Sequence, residues 1–249
     1  MTPVKGLRVV ARDALALTAA GEPDNRRFYL IDERGWLVNA KHVGELGTVV
    51  ADYDHSDRSL RLTFPDGSEA GGTVAHGAPL DTRFFSWQVP ARPLLGPWSE
   101  ALSAWFGRTL RVVEGVGRPG VDRGRGGGVS LISRGSLHAL ARAAGEPAVD
   151  ARRFRMLVEI DGVAEHAEDA WIGVRVRIGE ALVRFGGHVG RCSITTRHPE
   201  SAVVDLPTLD ILRGYRGDVD ATEPLPFGVY GKVLEGGRVA IGDAVELER

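Results

Sequence analysis

The chain has 249 residues and a formal net charge of −2, with apolar sequence enough for one large domain or two small ones. A near-neutral balance argues against bulk binding to nucleic acid or to a membrane surface, while leaving room for a few local Arg and Lys residues to hold a small anion. Cys192 is the sole cysteine, which excludes an intrachain disulfide and a multi-cysteine zinc site and fits a reducing compartment. The opening Met1–Gly6 stretch lacks the apolar region of a signal peptide, and no apolar run reaches the roughly 20 residues that span a bilayer. The expected location is therefore cytoplasmic.

Short strand-like runs dominate. Phe28–Ile31 and Trp36–Val38 flank Asp32-Glu33-Arg34-Gly35, whose glycine suits the positive φ of a hairpin loop. Leu60–Phe64 alternates with period two and stops at Pro65-Asp66-Gly67, a turn sequence. Pro97–Phe106 reads as a helix ended by Gly107. Residues 115–128 form a Gly/Arg-rich segment without the Gly-Lys-Ser/Thr ending of a phosphate-binding loop. It is either a surface connection or a lid that brings Arg118, Arg123 and Arg125 to an anion.

Leu137–Ala144 reads as a second helix, with Ser136 as its N-cap and Gly145 as its stop. Trp171–Ile178 alternates, so a strand there buries Val174, Val176 and Ile178 and turns Arg175 and Arg177 to water. Leu206–Tyr215 reads as a third helix, ended near Gly217, and Val239–Leu247 as a strand pair. Many short strands with a few isolated helices predict a mostly β, barrel-like α+β fold. No internal repeat is present.

Chemistry centres on Gly190-Arg191-Cys192-Ser193-Ile194-Thr195-Thr196. A lone cysteine is commonly a small buried hydrophobe. Here an adjacent guanidinium favours the thiolate, which is both the nucleophile and the soft-metal ligand. His188 and His198 lie close in sequence, so a Cys–His nucleophilic pair is a third option, without a local oxyanion-hole signature. The seven histidines show no His-x-x-x-His spacing for a helical zinc site.

The run Arg-Cys-x-x-Thr-Thr, with Pro199 shortly after it, resembles the motif of the MOSC family, in which that cysteine binds molybdenum. Pro3-Val4-Lys5-Gly6, Asn25–Ile31, Val38–Lys41, Ser130–Ser133, Arg153–Arg155, Glu168–Gly173 and Gly228–Gly231 continue the resemblance in order along the chain. It implies a β-rich N-terminal barrel domain over residues 1–107 and a MOSC domain over 108–249. It further implies a molybdenum cofactor ligated by Cys192 and held by Lys5, Arg26, Ser130, Ser133, Arg155, Arg191, Thr195 and Thr196. A guanidinium can hold a phosphate through two parallel hydrogen bonds, while Lys supplies a point charge.

For the amidoxime-reducing members of the family, the resemblance implies reduction of small N-oxygenated substrates. Electrons then come from a separate ferredoxin, flavin or haem protein, because one cysteine cannot hold a four-cysteine cluster. Two other functions stay open: a sulfur carrier with a Cys192 persulfide, and a non-catalytic cofactor-binding module. MOSC modules also occur joined to pyridoxal-phosphate-dependent cysteine desulfurases; pyridoxal phosphate is a family-level association only, since this chain has no such domain. Departures from the pattern, His198-Pro199 for Asp-Pro, Ser201-Ala202 for Thr-Gly, Asn25 for Asp and Met156-Leu157 for Pro-Asn, spare the metal ligand and bear on the substrate pocket.

Overall fold

A computed structural model describes residues 1–117 and 126–248; the arginines of the expected lid, Arg118, Arg123 and Arg125, lie outside that range. The described residues form a mostly β α+β fold with three α-helices, as the strand-rich sequence predicts.

One sheet runs Leu37–Val38, Phe28–Ile31, Arg111–Gly115, Trp87–Leu95 and Ala75–His76, with Leu80–Phe84 also paired to Trp87–Leu95. The Phe28–Ile31 hairpin turns at Gly35, whose φ of +78° is easy only without a Cβ. Beside it lies the meander Val50–Asp54, Ser59–Thr63 and Glu69–Thr73. Helix Trp98–Phe106 closes this region, burying Trp98 and Leu102 against Leu60 and Leu62 while the Trp98 indole N–H donates to the Leu60 carbonyl at 2.9 Å. Trp105 stays 40 % exposed.

The second large sheet runs Val158–Ile160, Val129–Ser133, Pro226–Glu235, Ala181–Gly190, Arg175–Ile178 and Val245–Glu248, antiparallel except for its first pair. Three register shifts interrupt the ladder between Ala181–Gly190 and Pro226–Glu235. Bulges of this kind bend a strand and re-aim the residues beyond it. Here the residues beyond the strand are Arg191 and Cys192. Helices Arg134–Ala144 and Thr208–Arg216 pack over this sheet through Leu137, Leu140 and Leu212.

Four boundaries differ from expectation. Ser133, not Ser136, caps the second helix: its backbone is extended and its Oγ accepts from the Ser136 N–H. Strand Arg175–Ile178 starts late, because Trp171 ends a 3-10 turn and Gly173 takes a φ of +85°. The third helix begins at Thr208, after Pro207. The C-terminal strands do not pair with each other: Gly237–Ala240 pairs with Ala14–Leu17, and Val245–Glu248 with Arg175–Ile178.

Candidate functional site

Cys192 stands where the bent strand Ala181–Gly190 gives way to the 3-10 turn Ser193–Thr196. Its backbone is extended, and its carbonyl accepts hydrogen bonds from the Thr195 N–H at 3.1 Å and the Thr195 Oγ1 at 3.0 Å. The Thr196 hydroxyl donates to the Ser193 carbonyl, and Thr208 donates to the Thr195 carbonyl. The turn is thus tied shut by hydroxyls, and the thiol, partly exposed, faces a cleft of about 470 Å³.

The cleft has walls from both ends of the chain. Lys5, Arg26 and Lys41 come from one side; Arg155, Arg191 and Ser130 come from the other. Lys5 lies 5.7 Å from the centroids of both Phe84 and Phe85, and Lys41 lies 6.0 Å from Phe85, so aromatic faces steady both ammonium groups. Arg26 donates to the Arg155 carbonyl at 2.8 Å, and Arg155 donates in turn to the Leu7 carbonyl at 2.7 Å. Both arginines hold left-handed backbone, φ +56° and +55°. Such strain in non-glycine residues concentrates at functional sites and is held by surrounding structure.

Arg191 reaches both Phe154 and Phe227. Its Nε donates to the Phe227 carbonyl at 2.8 Å, its Nη1 to the Phe154 carbonyl at 3.0 Å, and its guanidinium sits 5.1 Å from the Phe154 centroid. Ser130 Oγ accepts from the Leu157 N–H at 3.1 Å at the cleft wall. Among the described lining residues there are five cations and a single carboxylate, Glu223.

Six of the nine residues marked by sequence therefore meet in the cleft: Lys5, Arg26, Ser130, Arg155, Arg191 and Cys192. Ser133, Thr195 and Thr196 do not line it. Ser133 is wholly buried, and its Oγ donates to Glu168 at 2.7 Å while capping the helix. Thr195 and Thr196 serve the turn that presents the cysteine.

Neither neighbouring histidine lines the cleft. His188 is buried, with Nδ1 accepting from the Thr222 N–H and Nε2 facing Asp169 at 3.8 Å; His198 Nδ1 accepts from the Glu200 and Ser201 amides. A Cys–His nucleophilic pair finds no geometry here. Burial pushes up the Glu22 carboxyl, which does not line the cleft, and the Arg153 guanidinium pulls down the Asp205 carboxyl behind the cysteine turn.

Sequence reading missed Lys41, Phe85, Trp87, Glu223 and Tyr230 as lining residues. Lys41 and Tyr230 lie inside matched segments and were within reach. Phe85 and Trp87 flank the turn of the Leu80–Leu95 hairpin, half-exposed at 50 % and 52 %, and only the tertiary arrangement brings them here.

Comparison with known proteins places these observations in a family. Residues 121–246 match the MOSC domain, and residues 1–112 match the MOSC N-terminal beta barrel domain. Mitochondrial amidoxime-reducing component 1 of Xenopus laevis is 26 % identical over 276 aligned positions, covering 98 % of this chain and 79 % of that protein. Among solved structures, YiiM from Geobacillus stearothermophilus aligns at 20 % identity and a TM-score of 0.37, covering 49 % of this chain and 55 % of that one. YiiM from Escherichia coli aligns at 17 % identity and the same score, covering 54 % of this chain and 58 % of that one. The chain thus spans little more than half the length of either YiiM structure. With its two matched regions running through nearly the whole sequence, the chain belongs to the MOSC family.

Proposed function

We propose that this protein holds a molybdenum cofactor in the cleft, with the Cys192 thiolate as its ligand to the metal, and reduces small N-oxygenated compounds. The observation that carries the reading is a partly exposed thiol in a cleft lined by five cations. Among the described residues no group of three or more His, Cys, Asp or Glu could hold a metal ion. One soft sulfur ligand and a cationic wall suit a metal that arrives with its own sulfur donors on an anionic organic carrier. The reaction class is supported by the amidoxime-reducing relative.

When bound, the cofactor supplies two-electron removal of oxygen from nitrogen; its electrons come from a separate ferredoxin, flavin or haem protein. The chain's own part is binding and orientation. Arg26 and Arg155 hold an anionic tail by paired N–H donors, and Lys5 and Lys41 add point charges braced on Phe85. Arg191, pinned to the Phe154 and Phe227 carbonyls, fixes the segment that carries the thiol.

The test is molybdenum and pterin content of wild type, Cys192→Ala and Arg155→Ala made in one cofactor-replete host. Near-stoichiometric metal in wild type, lost in Cys192→Ala and reduced in Arg155→Ala, is the expected result. Wild-type protein without metal or pterin overturns it, and a persulfide label on Cys192 would then favour the sulfur-carrier function.

A further inference from the structure

Across one hairpin from the cleft lies a second depression, of about 480 Å³, with Arg34, Trp36, Asp81, Arg83, Ser86 and Gln88 in its walls. The paired strands Leu80–Phe84 and Trp87–Leu95 divide the two spaces. Thr82, Phe84 and Val89 are buried beneath the hairpin, while Arg83 and its cross-strand partner Gln88 are exposed on its outer face, as strand alternation requires. At the tip, Ser86 borders the depression, and its neighbours Phe85 and Trp87 border the cleft. The depression thus runs up to the rim of the site.

This face combines groups that a surface seldom leaves open together. Trp36, Phe85 and Trp87 are three of the five exposed aromatic side chains among the described residues, Trp36 at 47 %. Phe85 holds φ +53°, a left-handed backbone that is costly for a bulky residue and that the surrounding structure must maintain. The Arg83 and Arg34 guanidinium groups stand 4.9 and 6.0 Å from the Trp36 ring, and a backbone bridge joins Trp36 to Arg83. Asp81 is the one carboxylate in the depression's walls. Tryptophan and arginine are the side chains that most often anchor protein–protein interfaces. Side chains already braced on one another lose little freedom when a partner docks.

Resting on the function proposed above, we propose that this face is where the electron donor docks, and that the donor is a small acidic electron-transfer protein. Its carboxylates meet Arg34 and Arg83, and an apolar contact covers Trp36. Two cations against one carboxylate, with Lys41 on the adjoining cleft wall, select an acidic partner and speed its encounter. Position supports the same assignment, because the hairpin tip that borders the docking face also walls the space holding Cys192. A donor seated on the outer face leaves the inner face, and the cleft, to substrate. The donor gives two electrons per turnover, and with two protons from solvent the substrate oxygen leaves as water.

The double variant Arg34→Glu, Arg83→Glu reverses both charges on exposed side chains outside the cleft. Binding of two acidic probes, a plant-type [2Fe–2S] ferredoxin and a flavodoxin, is measured by calorimetry at low and physiological salt. Turnover of the holoenzyme is followed with each probe and with reduced methyl viologen, a small donor that needs no docking face. At least one probe should bind wild type, more weakly as salt rises. The double variant should bind it about tenfold or more weakly, with viologen-driven turnover, melting temperature and molybdenum content as in wild type. Trp36→Ala should weaken binding at both salt concentrations. Absence of binding by both probes, or affinity unchanged by charge reversal, overturns the proposal. So does a dimer of wild type that the double variant breaks, which would assign the face to a second copy of this chain. A wild type that lacks molybdenum and viologen-driven turnover would count against the proposed function, while the binding measurements would still judge the docking face.

Discussion

His166 shows how much a single side chain can matter away from the cleft. It holds φ +56°, and its ring lies 5.8 Å from Tyr215 and 5.9 Å from Phe227. Both ring nitrogens are buried without a hydrogen-bond partner among the described residues. Burial pushes its pKa below the usual 6.5, the Arg216 guanidinium adds to this, and Asp169, Glu168 and Glu165 oppose it. The folded state therefore resists the proton that the unfolded chain accepts near pH 6.5, and stability falls as pH drops through that value. His166→Phe removes this liability and two unsatisfied polar atoms, each of which costs about 1–3 kcal/mol when buried. Urea unfolding at pH 7.5 and 5.5 should find the variant gaining on wild type as pH falls. A pH-independent difference would show that His166 does not titrate between the two states.

Among the elements, the clearest lesson concerns hydroxyls close to a reactive motif. Ser133 shares a matched segment with Ser130, yet their tasks diverge within one strand, Val129–Ser133. Ser130 lies at the cleft wall, while Ser133 ends the strand and starts helix Arg134–Ala144. Wholly buried Glu168 accepts from the Ser133 N–H at 3.1 Å, the Ser133 Oγ at 2.7 Å and the Ser136 Oγ at 2.6 Å, locking helix, strand and the 3-10 turn Ala167–Trp171 together. Ser133→Ala should cost about 1–2 kcal/mol, as for a lost N-cap, with molybdenum per folded chain unchanged. Metal loss without loss of stability would return Ser133 to the cofactor.

Period-two alternation and turn glycines made most strands legible in the sequence, and the Arg191-Cys192 run with Lys5, Arg26 and Arg155 made the cationic core of the site legible. The hydroxyls of Ser133, Thr195 and Thr196 do not line the cleft, and local sequence alone does not say whether a hydroxyl meets a ligand, a backbone carbonyl or, as Ser133 does, the start of a helix. Phe85, Trp87 and Glu223 were invisible for another reason: their roles arise from hairpins and loops brought together only by the finished sheets.

At the scale of the whole molecule, the two ends of the chain are interleaved and not merely adjacent. Strand Ala14–Leu17 leaves the N-terminal region to pair with Gly237–Ala240, and Leu17 packs in the same buried cluster as Val176, Phe185 and Val239. In the opposite direction, Ile194 from the cysteine turn packs on the cluster that contains Val4, Leu7 and Phe28. The Arg8 guanidinium bridges the Thr48 and Glu200 carbonyls at 2.9 and 2.8 Å, and the Arg26–Arg155–Leu7 hydrogen bonds tie together residues from both ends of the chain. These ties predict one cooperative unfolding unit. Four of the five tryptophans, Trp36, Trp87, Trp98 and Trp105, lie in the first 112 residues, so fluorescence reports mainly on that region while far-ultraviolet circular dichroism reports on the whole. Leu17→Ala removes buried methyl groups from the other cluster, at about 2–5 kcal/mol. If the ties couple the two regions, both signals should shift to lower urea together and remain superimposable. A dichroism transition that moves while the fluorescence transition stays would show that the regions unfold separately, and that the cleft between them can open without global unfolding.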